Sequence, residues 1–174
     1  MEERLKNVIR DFPDYPKPGI VFKDITPILR DVNLYREVVE AFVSQIRELG
    51  IDAIVGVESR GFWFGPSIAQ QLRVPFIPIR KKGKLPGETY SHIYDLEYGS
   101  SEIEMQTDGL PKGARVLIHD DLLATGGTVK AATKLVDMAG AKTVGYAFLV
   151  HLTFLKAEDS LKNNSRPIIS LVNY

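Results

Sequence analysis

The sequence predicts an α/β protein with a doubly wound, mainly parallel sheet, and three observations carry that expectation. Apolar, β-favouring runs begin near Ile51, Val116 and Thr143 and alternate with stretches of helical periodicity, the pattern of βα units. Two of these runs end in a polar, glycine-containing turn that leads directly into a helix. Finally, 174 residues with 44% hydrophobic content suffice for one well-filled core, so residues 1–174 are expected to form a single domain.

Composition narrows the function classes. Lys plus Arg and Asp plus Glu are both 22, so the balanced charge gives no reason to expect nucleic acid or a membrane surface as partner, and any polyanion site must be local. The absence of cysteine excludes a disulfide framework and a thiol nucleophile, and is compatible with the cytoplasm. The N-terminal MEERLKNVIRDF is charged and no apolar run reaches membrane-spanning length, so a soluble, untargeted protein is expected.

In chain order, Leu5, Val8 and Ile9 predict a short amphipathic helix over residues 2–10. DFPDYPKPGIVFKDITPIL follows, with prolines at 13, 16, 18 and 27 that exclude a regular helix or central strand and predict an irregular surface layer. Thr26 before Pro27 reads as an N-cap and first helical residue. Leu34, Val38, Phe42, Ile46 and Leu49 line one face of a helix over residues 33–49, stopped by Gly50. Residues 51–57 are a strand, Glu58 to Gly61 a polar turn, and the segment after Pro66 a helix. Pro75 and Pro78 place the strand at 74–79 on a sheet edge. RKKGKLPGET, residues 80–89, is too cationic to pack in a core and is a solvated, mobile turn. Alternation over 89–106 predicts two antiparallel strands joined at Gly99, with Glu102 and Glu104 on a wet face as ordinary surface or interface residues. A helix from about Thr128 to Gly140, a strand over 143–152, a polar surface turn over 153–166 and a last short strand at 167–172 complete the chain.

The chemistry concentrates in VLIHDDLLATGGTVKAA, residues 116–132. A strand ends in the carboxylates Asp120 and Asp121, then passes through Ala124, Thr125, Gly126, Gly127 and Thr128 into a helix. Glycine lets several N–H groups converge on one anion, Thr125 and Thr128 add hydroxyls, and the helix N-terminus favours negative charge. The carboxylates can accept the vicinal hydroxyls of a ribose attached to that phosphate. A Gly-Gly pair alone can serve turn geometry only; the acid pair is what points to a ribose 5-phosphate. The stretch has neither the G-x-G-x-x-G spacing of a dinucleotide site nor a Walker A lysine, since Val129 separates Thr128 from Lys130.

This motif resembles the phosphoribosyl pyrophosphate (PRPP) site of type I phosphoribosyltransferases, and the wording DDLLATGGT is similar to the adenine branch of that family. The resemblance runs from about Phe12 into the final strand through FPDYPKPGIVFKDITP, SRGF, GKLPG and LEYG. It implies the family fold, with a small N-terminal hood at about residues 12–30 and a flexible β-loop, and transfer of phosphoribosyl from PRPP to adenine, giving AMP and pyrophosphate. By the same resemblance Val21 reads the adenine edge through its backbone, Phe22 and Leu122 sandwich the ring, and Arg60 reaches the purine. Glu58, Ser59 and Arg60, in a turn with a cis peptide near Glu58 and Ser59, hold pyrophosphate together with Arg80, Lys81 and Lys84 of the β-loop. Glu97 of LEYG is the proton acceptor at N7. Mg²⁺ is implied as cofactor, held mainly by substrate and water with no assigned protein ligand, and a homodimer is expected. Many adenine enzymes have Asp where this chain has Glu58, and an apolar residue is common at His119, which is read as structural. Transfer to hypoxanthine, guanine or xanthine is disfavoured by the LEYG glutamate. A PRPP-sensing regulator of RNA or DNA is disfavoured by the neutral charge and the candidate proton acceptor.

Overall fold

The computed structural model describes residues 1–96, 99–161 and 166–174. Helix α1 (Glu2–Val8) precedes β1 (Arg10–Pro13) and β2 (Val21–Asp24), which pair antiparallel with Phe12 opposite Phe22. The region expected to be irregular is therefore a two-stranded ribbon: Pro13 closes its strand, and Pro16 and Pro18 lie in the connection, so none removes a donor from the middle of a ladder. Helix α2 (Thr26–Arg30) starts at Thr26 rather than being capped by it. The cap comes from Asp24, whose carboxylate accepts the Thr26 N–H at 3.0 Å. Asp31 caps α3 (Val32–Ile46) by accepting the N–H groups of Asn33 and Leu34, and a tight turn then ends at Gly50.

The remaining strands are β3 (Ala53–Val57), β4 (Phe76–Lys81), β5 (Thr89–Leu96), β6 (Gly99–Gln106), β7 (Arg115–Leu123), β8 (Lys142–His151) and β9 (Ile168–Asn173). They form one sheet in the order β5-β6-β4-β3-β7-β8-β9. β4, β3, β7, β8 and β9 are parallel, and the β5–β6 hairpin joins antiparallel through β6. The expected mainly parallel sheet is present, and β5–β6 form the expected antiparallel pair.

β4 is not an edge strand, contrary to the expectation from its prolines. Its carbonyls at Pro75 and Ile79 accept from Ile54 and Glu58 of the β3 side. By alternation Pro78 turns its nitrogen the other way, where β6 pairs only with Arg80 and Lys81. The missing donor thus falls where no strand lies opposite.

Helices cover both faces. Val116 and Ile118 face one cluster with Val129, Leu135 and Val136 of α5 (Gly127–Met138), while Leu117 faces another with Val38, Phe42 and Ile46 of α3 and Ile68 of α4 (Gly65–Leu72). Burial on both faces explains why β7 is continuously apolar up to His119. The segment expected as a polar surface turn at 153–166 contains the short helix α6 (Ala157–Leu161), whose end residues are buried: two apolar side chains four apart suffice to seat one turn.

Candidate active site

β3 and β7 are parallel neighbours whose following helices leave to opposite faces, α4 to one and α5 to the other. This is a switch point, where a crevice opens beyond the carboxyl ends of the strands. A cleft of about 200 Å³ lies there, lined by Val57, Glu58, Ser59, Arg60, Lys81, Tyr94, Ile103, Asp120, Asp121 and Thr128. A second of about 180 Å³ adjoins it, lined by residues 120–129 and Arg60. Two turns that are far apart in sequence thus share one opening.

The turn after β7 is shaped by Gly126, whose φ of +86° serves as the cap of α5 without any side-chain cap hydrogen bond. Few side chains tolerate that angle. Helix bonding begins with Lys130 N–H to Gly126 carbonyl at 3.0 Å, so the first-turn amides lead into the adjoining cleft rather than back into the helix.

Asp120 and Asp121 project to opposite faces of β7, as neighbours on a strand must. Asp121 is buried, and its Oδ2 lies 3.1 Å from Arg60 Nε, off the hydrogen-bond direction, with no hydrogen-bond partner among the described residues. Asp120 Oδ1 accepts the Asp121 N–H at 2.9 Å. Burial first, and the Asp121 charge second, push the Asp120 carboxyl well above its ordinary range. Burial also raises Asp121, opposed chiefly by the Arg60 guanidinium. A site that leaves its acids underpaired is poised for polar ligand atoms or a cation.

The sign for stability follows. The unfolded Asp120 carboxyl ionises near 3.8 and the folded one higher, so stability declines as pH rises through that interval and stays lower above it. Asp120→Asn removes this liability. Urea denaturation should show the variant more stable than the parent at neutral pH, with the advantage shrinking toward pH 3.8.

Arg60 owes its place to Gly61. A Cβ there would lie 2.9 Å from the His119 carbonyl and 3.2 Å from Asp120 Oδ1, so only glycine lets the turn rest on β7. We expect Gly61→Ala to cost about 1–3 kcal/mol, typical of overpacking, and to loosen Arg60 from Asp121. Thermal unfolding would register the change.

In the turn itself the Glu58–Ser59 peptide is cis, as the resemblance implied. The Glu58 carboxylate does not point at the cleft centre. It accepts a fork from Arg80, 3.2 Å from Nε and 2.8 Å from Nη2, and the Lys81 N–H at 3.0 Å. The Arg80 fork holds its carboxyl below the ordinary value. Arg80 is thereby tied to Glu58 and to the Lys84 carbonyl, Lys81 reaches the cleft wall, and Lys84 sits exposed on the turn.

At the opposite end, Phe22 lies under the Arg60 guanidinium, 5.0 Å from ring centroid to Cζ, with Tyr15 edge-on at 5.3 Å. Val21 beside it is exposed and Leu122 is half-buried against the cleft. Glu97, between β5 and β6, lies outside the described residues.

Two residues went unread in the sequence. Tyr94 lines the cleft, and Thr128 Oγ1 stands 3.4 Å from its hydroxyl. Glu104 was expected on a wet strand face but is buried against the β4–β5 turn. A polar residue in strict alternation looks solvated until the strand's neighbours are known. His119 fits its structural reading: it is fully buried, burial lowers its pKa to about 4, and the neutral ring donates from Nδ1 to the Ala147 carbonyl at 3.0 Å.

A glycine-containing turn after an acid pair and a turn that gathers cations thus open onto one switch point. The phosphoribosyl transferase domain family matches residues 26–168. The chain is 52% identical to the adenine phosphoribosyltransferase of Cytophaga hutchinsonii over all of its length and 96% of that protein's. Its structure superposes on the adenine phosphoribosyltransferase of Thermoanaerobacter pseudethanolicus with a TM-score of 0.96, at 44% identity and 100% coverage of both chains. The Saccharomyces cerevisiae enzyme complexed with D-2,5-dideoxy-2,5-imino-altritol 1,6-bisphosphate and adenine gives 0.92 at 41% identity, covering 98% of this chain and 97% of that one. The chain belongs to the adenine phosphoribosyltransferase family.

Proposed function

We propose that the paired clefts carry out the family reaction, transfer of the 5-phosphoribosyl group from PRPP to adenine with formation of AMP and pyrophosphate, a purine-salvage step. The observation that carries this is the convergence of the β3 and β7 turns at the switch point, which puts an anion turn on each side of a position for the sugar. The 5-phosphate rests on Ala124 to Thr128 at the start of α5. Asp120 and Asp121 accept the ribose hydroxyls. Ser59, Arg60 and Lys81 face the pyrophosphate, with Glu58 and Arg80 bracing the turn and Lys84 closing from the loop. Adenine enters between Phe22 and Leu122, taking the place of the Arg60 guanidinium over the Phe22 ring, while the Val21 main chain reads its edge.

Departure of pyrophosphate leaves carbocation character on the sugar, so the protein's work is to orient, to stabilise charge and to exclude water. No covalent nucleophile is needed. Glu97 takes the N7 proton as N9 attacks and returns it in the reverse direction. Mg²⁺ would be held mainly by substrate oxygens and water, with no protein ligand assigned. There it would supply charge neutralisation to the leaving group.

The same proposal includes one domain with the β1–β2 ribbon as hood, a cytoplasmic location compatible with a cysteine-free chain, and a homodimer. No described helix is long and apolar enough to cross a membrane. The deciding assay supplies Mg²⁺, PRPP and each purine base in turn and follows pyrophosphate. Release with adenine and little with hypoxanthine, guanine or xanthine is expected; no release with adenine overturns the proposal.

A further inference from the structure

The turn between β4 and β5 reads in the sequence as a loose cationic loop, yet it is folded around one buried carboxylate. Glu104 of β6 is 2% exposed. Its Oε1 accepts the N–H groups of Lys84 and Leu85, each at 2.9 Å. Its Oε2 accepts the Thr89 hydroxyl at 3.2 Å and lies 3.4 Å from Lys82 Nζ. Burial pushes this carboxyl upward, but the two amides, the ammonium and the hydroxyl outweigh it and the net shift is downward. The charge is thus the fixed centre of the turn.

Two further ties extend the unit. On one side, Arg80 donates to the Lys84 carbonyl at 3.0 Å while its guanidinium grips Glu58. On the other, Gln106 donates to the Pro86 carbonyl at 3.1 Å, and β6 pairs with β5 from Thr89–Gln106 out to Leu96–Gly99. Glu97 follows β5 directly in the chain. The cationic turn is therefore tied to Glu104 and Gln106 of β6, and β5 to the same strand by its ladder and by the Thr89 hydroxyl on Glu104.

We infer that Glu104 is a positioning residue: it joins the cationic turn to the β5–β6 hairpin, so that the cations and Tyr94 of β5, which lines the cleft, meet the substrates as one body. This rests on the assignment of Lys81 and Lys84 to pyrophosphate. It gives the chemistry a coupling it needs, because charge leaves as pyrophosphate at one end of the sugar bond while adenine yields a proton at the other. A turn held independently of the hairpin would let one arrive without the other.

Amide hydrogen exchange and steady-state kinetics on Glu104→Ala and Glu104→Gln test this. In Glu104→Ala the amides of Lys84 and Leu85 should exchange at least about tenfold faster, the size expected from losing charge-assisted bonds, while amides of β3 and β7 keep their protection. Both kcat with adenine and PRPP affinity should fall about tenfold. Glu104→Gln keeps an acceptor for the two amides but turns an amide group toward Thr89 and Lys82, so both readouts should lie between parent and alanine variant. It also decides the matter if the alanine variant does not fold. Unchanged exchange at Lys84 and Leu85 would overturn the anchoring. Faster exchange with unchanged kinetics would overturn the positioning role. If Lys81→Ala and Lys84→Ala then also bind PRPP normally, the fault lies in the pyrophosphate assignment instead.

Discussion

Replacing Gly126 with valine should weaken PRPP binding by about 100-fold or more while leaving most of the fold intact. At φ +86° the residue stands in the left-handed region, which costs an L side chain roughly 1–2 kcal/mol and is worst for a β-branched one. The chain would relieve that strain locally, by unwinding the first turn of α5 or rotating the peptide after Thr125. In either case the amides that converge on the 5-phosphate separate. A hydrogen bond to a charged group is worth about 1.5–3 kcal/mol, so losing two of them gives the stated factor. Val129, Leu135 and Val136 remain buried against β7, so the far turns of α5 stay in place. Calorimetric titration with PRPP and Mg²⁺ measures the effect, and circular dichroism checks the helix. Unaltered PRPP affinity would mean that this turn does not hold the phosphate.

That turn was legible because its parts are contiguous. Strand, acid pair, glycines and helix lie within one stretch, and their geometry follows from local rules. The sheet class was legible for the same reason, since βα alternation is local too. What failed depended on neighbours. Pro78 argues against a central strand only if partners flank it on both sides at its own level, and β6 stops short of it. Glu104 looks wet by alternation because its partners, Lys84 and Leu85, belong to a loop the pattern cannot place. Thr26 resembled a cap, but Asp24 two residues earlier had the better acceptor and took the role.

The site divides along the same line. Periodicity and composition gave no reason for Phe22, Arg60 and Asp121 to meet, since they come from the β1–β2 ribbon, the turn after β3 and the end of β7. Family resemblance supplied Phe22 and Arg60 as neighbours of one ring. The physical reason for Arg60's position appears only in three dimensions: Gly61 lets its turn lie against the β7 backbone. The same contact explains why SRGF carries information that a lone arginine does not.

Glu97→Gln should then separate binding from chemistry. Glutamine has nearly the shape of glutamate and can still meet N7, but only as a neutral amide that cannot take up a proton. Removing a general base lowers turnover by roughly 10²–10⁴-fold, so kcat with adenine should fall within that range. PRPP affinity should hold, because the phosphate turn after β7 and the cations beside β3 are built from other segments. The pH profile adds a second discriminator. A catalytic carboxylate must be ionised to accept the proton, so the parent's rate should decline on the acid side as that group protonates. The variant's rate should lose that limb and respond only to the remaining groups. A variant with the parent's kcat would remove Glu97 from the mechanism. Equal losses in kcat and in PRPP affinity would assign it instead to the shape of the hairpin. The expected pattern, a slow enzyme that still grips its donor, follows only if charge stabilisation at pyrophosphate and proton transfer at adenine are tasks of separate residues.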